Sequence, residues 1–122
     1  MMRRLTTRRP IPDLTTDDLT RLRAALAELT RQQRCTTYGA LAAAVGLDGA
    51  GRIARLTAML ETLMEEDAHA GRPFRAALVL SRVAQDLPAR GFFLKADALG
   101  RDTSQPAAFH RKELAAVFAA SG

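Results

Sequence analysis

A mostly helical chain with one small β element is predicted by three features of the sequence. Apolar residues recur at three- and four-residue steps over residues 19–29 and 53–64, which is the spacing of one helix face. Glycines and prolines fall between these stretches rather than inside them. A single short segment, Phe74 to Ser81, reads as a strand, with Leu78 and Leu80 on one face and Val79 on the other.

Each element has a local cause. Thr15 and Thr16 followed by Asp17 and Asp18 suit the amide-rich start of a helix. Leu19, Leu22, Leu26 and Leu29 then give it a core face, so a first helix is predicted over Asp17 to Gln33. Thr37 is a plausible cap for a second helix of two turns, in which Tyr38, Leu41, Ala42 and Val45 share a face and Gly46 ends the run. After the turn Leu47 to Gly51, a third helix is predicted over Gly51 to Ala68, with Ile53, Leu56, Met59, Leu60, Leu63 and Met64 as its apolar line. Gly71 and Pro73 break it before the strand. A short helix over Phe93 to Leu99 is stopped by Gly100. A last helix, Pro106 to Ala119, opens with proline in its first turn and presents Phe109, Leu114, Val117 and Phe118.

This order of helix, short helix, turn, long helix, strand or hairpin and helical tail fits a winged helix-turn-helix, mostly α with a small β wing. Residues 1–14 are expected to form a flexible basic arm, and residues 15–122 a single winged-helix-like domain with a C-terminal helical extension.

Composition narrows the function. A chain of 122 residues has room for one domain. Its 18 Lys and Arg, 16 of them Arg, outnumber 13 Asp and Glu and give a net charge of +5. One cysteine excludes an internal disulfide and a cysteine-based metal cluster, and His69 and His110 lie far apart in sequence. There is no Walker loop and no dinucleotide fingerprint. No apolar run approaches the roughly 18 residues of a membrane helix, and the basic start leads into Pro10 and Pro12 rather than a signal-peptide core. The expectation is a small cytoplasmic binding module with no enzymatic activity, no cofactor, no metal and no membrane association.

The charge is segregated along the chain: residues 1–60 carry +5, residues 61–71 carry −4, and residues 72–122 carry +4. Arg52 and Arg55 open the third helix, where guanidinium groups could read base edges or clamp phosphates. Small residues at Gly49, Ala50 and Gly51 permit close backbone approach. Arg72, Arg75, Arg82 and Arg90 surround the predicted strand, and Arg3, Arg4, Arg8 and Arg9 furnish an arm for phosphates or a minor groove. Glu61, Glu65, Glu66 and Asp67 oppose the dipole at the end of the third helix and are therefore expected on a solvated face, with an i,i+4 ion pair from Glu65 to His69. His110, between Phe109 and Arg111, is expected in solvent. Cys35 is expected to be an inert thiol, and Phe74, Phe92 and Phe93 to belong to the core.

Residues Thr36-Thr37-Tyr38-Gly39-Ala40-Leu41-Ala42-Ala43-Ala44-Val45-Gly46 resemble the Thr-Tyr-Gly-x-Leu-Ala segment that opens the helix-turn-helix of the alkylguanine-DNA alkyltransferases and alkyltransferase-like proteins. The resemblance implies a winged-helix DNA-binding domain, a recognition helix beginning near Ala50 to Arg52 that enters the minor groove, and Arg52 or Arg55 as the arginine that helps extrude a base. That family's Pro-Cys-His-Arg block has no counterpart, since Pro73-Phe74-Arg75 lacks both Cys and His, so alkyl transfer is not implied. The stretch from Thr37 to Phe92 also resembles small bacterial and phage-associated proteins, some labelled ribose-phosphate pyrophosphokinase; the paired acids and phosphate loop that kinase chemistry demands are missing here.

The predicted function is double-stranded DNA binding, by a small transcriptional regulator or accessory factor, with Thr37, Arg52, Arg55, Arg72, Arg75 and the basic arm as contacts. The alternative is a protein-interaction or adaptor module, acting as a homo-oligomer or with a protein partner through its Leu- and Ala-rich helices or the acidic stretch Glu61 to Asp67.

Overall fold

The computed structural model describes residues 14–121, so the basic arm with Arg3, Arg4, Arg8 and Arg9 lies outside the described residues. Helix α1 spans Leu14–Gln32, α2 Tyr38–Val45, α3 Arg52–Ala70, α4 Arg90–Ala98 and α5 Pro106–Ser121. Two strands of two residues each, β1 at Thr36–Thr37 and β2 at Val79–Leu80, pair in parallel, Thr36 opposite Val79 and Thr37 opposite Leu80. The fold is thus mostly helical with a minimal parallel sheet, and residues 38–78, which include α2 and α3, form the crossover that parallel pairing requires.

Local sequence explains most of this. Leu22 and Leu26 of α1 are fully buried, with Leu19 and Leu29 packed beside them. At α2, the Thr37 hydroxyl accepts the Ala40 N–H at 3.2 Å, and Gly46 closes the helix at φ +91°, a left-handed conformation that a side chain would disfavour. Thr37→Ala should cost about 1 kcal/mol by orphaning that amide; the urea midpoint reports it. Helix α3 buries Leu56, Met59, Leu60, Leu63 and Met64 as its periodicity predicts, but Ile53 is exposed because the first turn of α3 projects beyond the core. Helix α1 begins at Leu14, ahead of the predicted Asp17, so Thr15 and Thr16 lie within the helix rather than capping it.

The segment after α3 departs from expectation. Phe74 to Ser81 is not a continuous strand: Arg75–Leu78 form one turn of 3-10 helix, and only Val79 and Leu80 are extended. A strand would have turned alternate residues to opposite faces. Here Ala76, Ala77, Leu78 and Val79 are all buried, wrapped by α1, α3 and α5, and a tight helical turn accommodates consecutive burial better. The predicted wing is reduced to a turn closed by one antiparallel bridge, Ser81 with Leu87.

Because the 3-10 turn has no neighbouring strand, side chains satisfy its backbone polar groups. The Phe74 N–H donates to Glu113 Oε1 at 2.7 Å and the Arg75 N–H to Asp67 Oδ2 at 3.0 Å, while His110 Nε2 lies 2.9 Å from the Ala77 carbonyl. A carbonyl only accepts, so His110 carries its proton on Nε2. This corrects the expectation that His110 is solvated. It is 5% exposed, and α5 is turned so that His110, Glu113 and Val117 face inward, with Phe109, Leu114 and Phe118 flanking them.

The acidic end of α3 is a solvated face only in part: Glu65 is exposed, but it, Glu66 and Asp67 are paired with cations. Asp67 is fully buried and binds Arg72 and Arg75, Glu66 pairs with Arg23 and Arg75, and Glu65 pairs with Lys95 at 2.5 Å rather than with the exposed His69. Arginine hydrogen bonds hold the Glu66 carboxyl below its ordinary value. The cations come from α1, α4 and the segment after α3, which folding brings to this helix end. Phe74, Phe92, Phe93 and Phe109 form the aromatic part of the core, with ring centroids 5.1–6.4 Å apart.

Candidate nucleic-acid interface

Three helices start at one groove. It has a volume of about 410 Å³ and is lined by Thr37, Tyr38 and Gly39 at the start of α2, by Arg52 and Ile53 at the start of α3, and by Ala89, the residue before α4. Leu80, Ser81 and Arg82 complete it from the strand and turn. Helix amino termini carry partial positive charge and unpaired N–H groups. The Thr37 hydroxyl caps α2, but α3 and α4 begin at Gly51 and Ala89 with no side-chain cap. Gly51 sits at φ +79°, which fits the bend that leads into α3, and the Arg55 side chain folds back to within 3.7 Å of where a side chain at Gly51 would begin.

Arg52 and Arg82 line the groove and Arg90 follows Ala89 at its edge. All three are exposed, and among the described residues none of their guanidinium groups makes a hydrogen bond or ion pair. Among the described residues Arg111, on α5, is in the same state, and six other arginines contrast with it. Arg21, Arg23, Arg31, Arg72, Arg75 and Arg101 each bind a carboxylate of the same chain.

The predicted contact residues therefore divide. Thr37 and Arg52 share the groove. Arg55, although exposed, donates to the Asp48 carbonyl at 2.7 Å and the Ala50 carbonyl at 3.1 Å, so it shapes the loop that precedes its own helix. Arg72 and Arg75 line a different groove with Ala27, Thr30, Arg31, Pro73, Val117 and Ala120, and both are engaged by Asp67.

Tyr38 joins two of the helix starts. Its hydroxyl accepts the Ala89 N–H at 3.0 Å, across 51 positions of sequence. Burial pushes its phenol above the ordinary value. No sequence signal marks this link, because neither residue type nor spacing announces a contact so distant. Arg82 and Arg90 stand out only once the structure shows which arginines already have partners. Among the described residues, no group of three His, Cys, Asp or Glu is placed to hold a metal ion, and no helix is long and apolar enough to cross a membrane. No protein-family model, curated protein or solved structure matches the chain.

Proposed function

We propose that this chain binds double-stranded DNA, as a small transcriptional regulator or accessory factor, with the start of α3 set against a groove of the duplex. The observation that carries the reading is the convergence of three helix amino termini with three arginines, Arg52, Arg82 and Arg90, that have no partner among the described residues. Uncapped amides and guanidinium groups are what phosphate oxygens require. Residues 52–55 are exposed in succession, so the first turn of α3 is free to approach a partner.

The succession of α2, a turn through Gly46 to Gly51, and α3 supports a helix-turn-helix, in which the closed turn 81–87 is a short wing. The resemblance of residues 36–46 to the alkyltransferase segment points the same way. Arg72 and Arg75 then serve the fold, and Arg55 holds the recognition loop in shape.

The test is fluorescence anisotropy with a labelled random-sequence duplex over a salt series. The Arg52→Ala, Arg82→Ala, Arg90→Ala triple variant should retain its circular dichroism spectrum and lose roughly 50-fold in affinity at low salt. Its log–log salt slope should be shallower by about 2 to 3, one contact for each arginine removed. An unchanged slope would mean that this groove is not where phosphates bind.

A further inference from the structure

Every residue that lines the groove at the starts of α2 and α3 is neutral or cationic: Arg52 and Arg82 line it and no carboxylate does. Hydroxyls line it as well, on Thr37, Tyr38, Thr57 and Ser81. The first, second and last of these already accept a backbone N–H through oxygen. The Thr37 hydroxyl takes the Ala40 N–H at 3.2 Å, the Tyr38 hydroxyl the Ala89 N–H at 3.0 Å, and the Ser81 hydroxyl the Ala84 N–H at 3.3 Å. Among the described residues, none of these hydroxyls meets an acceptor for its own hydrogen. The backbone thus fixes each oxygen and leaves its hydrogen to be donated. The rest of the wall is apolar: Ile53, which is 38% exposed, Leu80 and Ala89, with open space where a side chain at Gly39 would stand.

These donors, the guanidinium groups of Arg52 and Arg82 and the hydroxyls of Thr37, Tyr38 and Ser81, are more than a phosphodiester inside a strand can use, since it carries a single charge. A phosphate monoester carries close to two charges and has three strong acceptor oxygens, so it engages more of them at once. The apolar wall beside them suits the sugar and base of the nucleotide that bears the phosphate. A volume of about 410 Å³ is also within the range of sites that enclose a small ligand.

We propose that this groove holds the terminal phosphate monoester of a DNA strand, with Arg52, Arg82 and the Thr37, Tyr38 and Ser81 hydroxyls on its oxygens and the end nucleotide against Ile53 and Leu80. The inference rests on the DNA-binding reading and names the part of the DNA that the site takes, an end rather than the continuous backbone.

The experiment measures anisotropy with one internally labelled duplex that is phosphorylated at its 5′ ends, at its 3′ ends, at neither, or closed at each end by a hairpin loop. One phosphorylated form should bind about 10-fold tighter than the unphosphorylated duplex, and the closed form no tighter than the latter. Ser81→Ala should narrow that preference to about threefold. This variant keeps its turn, because the Ala84 N–H also reaches the Ser81 carbonyl at 3.2 Å. Arg82→Gln should reduce the preference to about twofold. Inorganic phosphate and deoxyadenosine monophosphate should compete, but far more weakly than the phosphorylated duplex. If all forms of the duplex bind alike, or both variants keep the full preference, the groove does not hold a strand end, although DNA binding itself stands. If deoxyadenosine monophosphate binds as tightly as the phosphorylated duplex, the monoester is that of a free nucleotide and the strand-end proposal is overturned. If no form of the duplex binds even at low salt, the DNA-binding reading fails first and this one with it.

Discussion

Phe74→Ala is expected to lower stability by about 4 kcal/mol, near the middle of the range for removing a buried phenylalanine. The ring is fully buried, with Phe92 against it edge-on at 6.1 Å. On its other side Arg101 stands 4.2 Å from the ring centroid while also pairing with Glu113 at 3.3 Å. The carboxylate of Glu113 in turn accepts the Phe74 backbone N–H. Truncation would therefore leave a cavity between the 3-10 turn, α4 and α5, and would also remove the face on which Arg101 rests. The urea midpoint, followed by helical circular dichroism, measures the loss. A cost below about 1.5 kcal/mol would show that the site collapses around the missing ring.

Asp67→Ala should cost about 3 kcal/mol, and Asp67→Asn about half as much. The carboxylate is fully buried at the end of α3 and accepts from Arg72 Nε at 3.1 Å, from Arg75 Nε at 3.0 Å and Nη2 at 2.9 Å, and from the Arg75 backbone N–H at 3.0 Å. Removing one member of a buried pair typically costs about 3–5 kcal/mol because the other is left uncompensated. The Arg72 and Arg75 side chains are 53% and 23% exposed, so water takes up part of their charge and the value belongs at the low end. Asparagine keeps one oxygen for the backbone amide but loses the charge that two guanidinium groups face. Thermal unfolding should separate the two variants by several degrees. Added salt should change the wild-type midpoint little through this group, since a buried pair is poorly screened. Equal midpoints for alanine and asparagine would mean that the charge, and not the backbone bond, is what matters.

Both sites lie at the segment the sequence represents least well. Helices α1, α2, α3 and α5 are legible because each is specified within its own turn-to-turn spacing. Leu22 and Leu26, or Leu56, Leu60 and Leu63, identify their own face, and Thr37 and Gly46 mark their own helix ends. Residues 74–81 are misread because their apolar run satisfies either an extended strand or a buried turn. The choice depends on whether a neighbouring strand is there to receive the backbone bonds. For residues 74–78 it is not, and Glu113, His110 and Asp67 take that role from helices elsewhere in the chain, whereas Val79 and Leu80 meet the strand Thr36–Thr37. His110 and Glu113 look like surface residues of an amphipathic helix until that demand is known.

The candidate site divides in the same way. Thr37 and Arg52 are visible from caps and from the start of a helix after a glycine-rich turn. Arg72 and Arg75 are equally basic and equally close to a predicted strand, and nothing local distinguishes them from Arg82 and Arg90. Folding distinguishes them, by delivering Asp67 to the first pair and, among the described residues, no carboxylate to the second.

By itself the sequence determined the helices, the caps of α2 and the excess of arginine, because these depend on residues within a few positions of one another. Only the tertiary structure decided which arginines are taken up by the protein's own carboxylates, and which remain beside three helix starts. An ion pair falls off with distance in space, whereas a chain records distance along itself; Arg23 and Glu66, or Tyr38 and Ala89, become neighbours only when the core closes.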